Sequence, residues 1–194
     1  MQTLGLSDST PRTESRLKSL LWPSIQTDAD VDYLGVQGYW VCLLVATGSF
    51  VFMALSGQLI SGFLFFLLFY IGGVGIRTGS RYAATLVLAY YVVDLVAIVL
   101  LRSFMLLSPG IVARICVTAL LLSNLRATWL AAGWKSKGEG LPGERPQSAS
   151  WSDKFADQFP LWLWPKVRVL YYVYSAGLIL LTLIGLAVVA RRGF

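Results

Sequence analysis

Five stretches of this chain are apolar for about the 20 residues a helix needs to cross the hydrocarbon of a bilayer. They run from Val36 to Leu55, Leu59 to Ile76, Tyr82 to Leu101, Ile111 to Trp134 and Val167 to Ala190. None alternates polar and apolar positions, so the strands of a membrane barrel are a poor fit. The pattern predicts an all-α, polytopic integral membrane protein with about five transmembrane helices. Only Ser56-Gly57-Gln58 separates the first two runs, which suits a tight helical hairpin, and Pro109-Gly110 breaks the third from the fourth. The glycines of Gly72-Gly73-Val74-Gly75 are expected to loosen the end of the second helix.

Two further stretches read as amphipathic helices lying on the membrane. From Thr10-Pro11 a cap and a first-turn proline precede Leu17, Leu20 and Leu21 on one face, beside Arg16 and Lys18. After a linker rich in Gly, Pro, Glu and Ser, Ser150 to Asp153 resembles a capping box. Trp151, Phe155 and Phe159 then follow at helical spacing, opposite Asp153, Lys154 and Asp157. Trp162 and Trp164 come next and are expected at headgroup depth. The organisation is a polar segment with a short surface helix (1–35), a four-helix region (36–134), a linker with an interfacial helix (135–166) and a fifth span with a short tail (167–194).

Composition agrees with lipid as the solvent. Hydrophobic residues make up 56% of the chain and charged residues 13%, about half the charged share of a soluble protein. A net charge of +6 then points to loops facing an anionic leaflet, and no nucleic-acid partner is expected. Topology follows from where the positive charges fall. With five spans, eleven Lys and Arg residues lie on the N-terminal side and three (Arg102, Arg191 and Arg192) on the other. The N-terminus is therefore expected in the cytoplasm, and this assignment survives if the first two runs only dip in and return. No secretory pattern precedes the first apolar run. With the compact loops, this makes a bacterial cytoplasmic (inner) membrane the expected location.

Chemistry is sparse. The chain has no histidine, which removes the usual general base and the commonest metal ligand. Cys42 and Cys116 fall inside apolar runs and read as small packing residues. Asp28, Asp30 and Asp32 lack the glycine and glutamate of a calcium loop and read as a solvated acidic turn. No cofactor, metal or catalytic group is expected.

Asp94 is the residue that needs a reason, because a carboxylate near the middle of a span is costly. At about 1.5 Å per residue it lies roughly 12 Å below Arg102, and Arg114 lies roughly 6 Å inside the outer end of the fourth helix. The remaining gap is within reach of an arginine stem. Asp94 and Arg114, with Tyr90 one turn away, then form either a buried pair that fixes helix register or a site for a cation, a proton or a basic ligand. Asn124 is expected to hydrogen-bond across a helix interface, and Arg126 to reach toward the interface near Trp134.

The favoured reading is a non-enzymatic accessory or scaffold subunit, partnered by the bilayer and by other membrane subunits or further copies of itself. The alternative is a small transporter or channel component with Asp94 at its site. An enzyme acting on lipid, drawing on Asp94, Tyr90, Tyr91, Arg114 or Ser103, comes third. An intramembrane protease would need a second aspartate, or a serine with a base.

Overall fold

The computed structural model describes residues 21–25, 28–101, 109–137 and 161–192. Five long helices carry nearly all of them: α1 (Asp28–Leu55), α2 (Leu59–Arg77), α3 (Arg81–Leu101), α4 (Pro109–Lys137) and α5 (Trp164–Arg192). A 3-10 turn, Leu161–Leu163, leads into α5. All five are long and apolar enough to cross a membrane, and there is no strand among the described residues. The surface helices expected from Thr10 and Ser150 lie outside those residues, as do Arg102 and Ser103.

The two tight connections are built alike. Gly57 and Gly79 adopt φ of +76° and +75°, a region that side chains disfavour. Around Gly57, the Gln58 N–H donates to Met53 O and the Gly57 N–H to Ala54 O; around Gly79, Ser80 donates to Gly75 O and Gly79 to Ile76 O. Each is a Schellman motif, which satisfies carbonyls that the ending helix leaves free. They make α1, α2 and α3 successive antiparallel neighbours. The starts of α1, α3 and α5 therefore share one end of the bundle, the near end, with the finishes of α2 and α4.

Packing closes α1 to α4 into a ring: α1 on α2, α2 on α3, α3 on α4, and α4 back on α1. α5 lies outside, against α2 and α3. The ring closes mainly at the near end. There Gly38 of α1 abuts the Asn124 side chain of α4, and Leu34 packs with Ile25 and Ala127.

Two expectations about helix ends are corrected. The glycine-rich end of the second helix does not unwind, because α2 stays helical to Arg77. Its glycines are filled from outside: Val87 and Tyr171 press on Gly72, Cys42 on Gly73, and Trp164 and Ala83 on Gly75. That packing offsets the backbone entropy a glycine loses in a helix. Trp164 is accordingly buried at 6% exposure, whereas Trp162 is exposed, so only one of the two tryptophans is free to face a headgroup region.

α1 starts at Asp28 instead of Val36. The acidic stretch is a helix start, where carboxylates complement the macrodipole. Asp30 is buried at 1% exposure. Asp32 accepts a hydrogen bond from Arg77 Nη1 at 2.6 Å, which joins the acidic start of α1 to the basic finish of α2. These aspartates do not form a solvated turn.

The glycine packing is testable by thermal unfolding in mild detergent. A Cβ at Gly75 would lie 2.5 Å from Trp164 Cη2 and 2.6 Å from Ala83 Cβ, whereas one at Gly177 meets nothing within 4 Å. Gly75→Ala should cost about 1–3 kcal/mol through overpacking. Gly177→Ala should be neutral or stabilising by up to about 1 kcal/mol, because alanine favours the helix.

Candidate functional site

Asp94 sits two-thirds of the way along α3, with Tyr90 one turn before it and Tyr91 beside that turn. Both tyrosines are buried, at 3% and 6% exposure, and are held by the aromatic face of α2. Tyr90 packs against Phe65 and Phe69 at 5.7 and 5.9 Å between ring centroids. Tyr91 stands edge-on to Phe69 at 6.0 Å. These contacts fix the helical turn that presents Asp94.

Arg114, in the second turn of α4, donates from Nη1 to Asp94 Oδ2. Its guanidinium carbon also lies 6.0 Å from the Tyr91 ring centroid, within the range of a cation–π contact. The Asp94 and Arg114 side chains are each 35% exposed. What they face is a partly open cavity of about 440 Å³ in the far half of the ring. All four ring helices line it, through Leu44, Ser49 and Phe52 of α1, Phe65 of α2, Tyr91 of α3 and Val117 of α4, among others. The walls are apolar apart from Ser49, the two tyrosines and the ion pair.

The other two residues singled out in the sequence lie elsewhere. Asn124 and Arg126 are ten and twelve residues beyond Arg114, about 15–18 Å along the same helix. Asn124 is buried at 1% exposure, and its Nδ2 donates within its own helix to Leu120 O at 2.9 Å. Its Oδ1 has no hydrogen-bond partner among the described residues and lies against Gly38. The expected bond across the interface is thus replaced by close packing. Arg126 finds its partners in the segment that precedes α1, at the near end. It donates from Nη1 to Pro23 O at 3.1 Å and stands 5.0 Å from the Trp22 ring centroid, because residues 22–23 fold back over α4. Of the cysteines, Cys42 is buried as expected, but Cys116 is exposed on α4 and does no core packing.

The Asp32–Arg77 pair was missed in the sequence. It borders a smaller near-end cavity of about 110 Å³ with Gly35, Thr78 and Thr128. Arg77 is only 8% exposed at its side chain, against 33% for Asp32. The signal was available. Depth arithmetic across the first hairpin, of the kind that places Arg114 near Asp94, brings Arg77 within reach of Asp32.

The far cavity has the size of a small-molecule site, and its polar groups suit hydrogen bonding more than bond-breaking. Its single carboxylate is already paired, and no second acid, base or activated nucleophile lines it. Among the described residues no three His, Cys, Asp or Glu side chains are grouped to hold a metal ion. No known protein family, curated protein or solved structure matches the chain.

The strength of the pair can be read from a double-mutant cycle of Asp94→Asn, Arg114→Ala and the double variant, again by thermal unfolding in detergent. Each single change strands one partner, and the double change removes both. With each side chain about one-third exposed, the expected coupling is about 1 kcal/mol. Strictly additive losses would mean that the contact contributes nothing to stability.

Proposed function

We propose that this chain is an integral membrane protein whose five helices cross a bilayer, and that it works by binding a small amphiphile instead of by catalysis. The observation that carries the reading is the position of the Asp94–Arg114 pair. It lies on the wall of the 440 Å³ cavity with a third of each side chain exposed. A pair serving only helix register is better sealed between its helices, because in a low-dielectric contact the attraction is strongest. An exposed pair keeps an open carboxylate oxygen and most of the guanidinium donors available.

The ligand class follows from the lining. An apolar body fits against Leu44, Phe52 and Phe65, with its polar end toward the pair. Because Asp94 and Arg114 neutralise each other, the fitting head is uncharged and both donates and accepts, as a hydroxyl or primary amide does. A cation or proton carrier built on Asp94 has weaker support, since Arg114 already takes that charge.

An accessory or scaffold role in a larger assembly is compatible with this binding and draws on α5. Leu183, Ile184, Val188 and Val189 are all exposed, so the last turns of α5 present apolar surface to lipid, to other subunits or to a second copy. The charge bias supports a cytoplasmic N-terminus, with a bacterial inner membrane as the proposed setting. Reporter fusions should show the N-terminus and the C-terminus on opposite sides.

The binding reading is tested with a diazirine-bearing decanol and peptide mapping by mass spectrometry. Labelling should concentrate on cavity residues such as Phe52, Met53 and Tyr91, and excess decanol should compete it away. Ser49→Trp, which fills the cavity, should lower that labelling at least tenfold while labelling of exposed α5 residues persists. Labelling spread over α5 with none in the cavity would refute the reading.

A further inference from the structure

At the near end, far from the cavity, one arginine is framed by aromatic rings and has no carboxylate partner among the described residues. Arg81 opens α3. Its guanidinium carbon lies 5.0 Å from the Tyr82 ring centroid and 5.2 Å from that of Trp129 on α4. Its Nη2 also donates to Tyr82 Oη at 3.2 Å. Both rings are themselves held. The Trp129 Nε1–H reaches Thr85 Oγ1 at 3.4 Å, and Tyr82 stands edge-on to Tyr172 of α5 at 6.1 Å. Tyr172 Oη in turn shares a hydrogen bond with Ser80 Oγ at 3.2 Å. Tyr82 and Trp129 are 54% and 49% exposed, and Arg81 beside them is half-buried, so the framed cation lies at the outer surface of the bundle with part of its side chain open.

We infer that Arg81, framed by Tyr82 and Trp129, binds the phosphate of an anionic phospholipid. The inference rests on the membrane reading above but is independent of the cavity. Two observations choose the occupant. Exposed tyrosine and tryptophan rings at the end of an apolar helix belong at headgroup depth, where an apolar ring face and a wet polar edge are both satisfied. A guanidinium lying on ring faces, with one N–H given to Tyr82 Oη, keeps its remaining edge N–H groups for an oxygen ligand, and phosphate suits that planar group. The surroundings also favour negative charge. α5, whose start lies at this same end, carries Lys166 and Arg168 in its first turns, both exposed. Asp32, an acid of the same end, is occupied by Arg77.

The test uses the full chain in mild detergent, titrated with phosphatidylglycerol or phosphatidylcholine, with bound lipid read by native mass spectrometry. Wild-type protein should prefer phosphatidylglycerol. Arg81→Gln should reduce that preference about fivefold, the partition expected from one basic residue at an anionic surface. Trp129→Leu, which leaves the charge but removes a ring, should reduce it by a smaller factor. Arg191→Gln, at the opposite end, should leave it unchanged, and thermal midpoints establish that each variant is folded. An Arg81→Gln protein that is folded and keeps the wild-type preference overturns the inference. So does displacement of the lipid by an equal concentration of inorganic phosphate, which would make this a site for the free anion. A carbonate wash of reconstituted vesicles separates the two levels. Release of the protein removes the membrane reading and this inference with it, whereas retention with an unchanged lipid preference removes the inference alone.

Discussion

Close approach at the glycine-rich finish of α2 is the constraint on which the other contacts depend. Gly72, Gly73 and Gly75 let side chains from three helices enter the surface of a fourth: Cys42 from α1, Val87 and Ala83 from α3, Tyr171 and Trp164 from α5. In the bilayer proposed above, helices would gain little from hiding apolar surface, and association would rely on van der Waals contact between closely spaced backbones. α2 is therefore the hub of the bundle. The near half of the ring is drawn tight around it, and the cavity lies in the far half.

The two ion pairs follow from the same geometry. Asp32–Arg77 ties α1 to α2 at the tight end, and its arginine is almost fully enclosed. Asp94–Arg114 ties α3 to α4 at the wide end, where both side chains keep a third of their surface. One kind of contact thus occupies two environments. The first is a clasp between helix termini of opposite dipole sign. The second leaves donors and an acceptor facing open space, and the binding proposal draws on that difference.

Helix existence was legible in the sequence because each of the five runs is long and almost free of charge. The first connection was legible because Ser56-Gly57-Gln58 is a strong local signal, whereas Pro109-Gly110, read as a break, forms the first turn of α4. Helix ends were less so. Asp28, Asp30 and Asp32 look like a solvated turn to a composition-based reading, yet the helix dipole and Arg77 both reward them for being helical. The glycines of α2 look like a weak point until the side chains that fill them are placed, and those come from α1, α3 and α5, far away in sequence. Depth along parallel axes brings Asp94 and Arg114 together, since rise per residue is nearly constant. The cavity they face depends on how far the helices splay, which no local pattern encodes. Arg126 shows the same limit, for its partner at Pro23 is more than a hundred residues away.

Closure of the ring through α1 and α4 has a consequence for the order in which the molecule can be made. The α1–α2 hairpin and the α2–α3 contact join neighbours in sequence and can form as soon as each helix is complete. The seam between Gly38 and Asn124 cannot, because it waits for a helix synthesised some 80 residues later and closes the longest loop in the ring. Until α4 arrives, the glycine face of α1 and the polar Ser123–Asn124 step are apart, and no enclosed space exists beside Asp94. The cavity is thus a late product of assembly, and any molecule held there is either captured as the ring shuts or admitted afterwards through its open side.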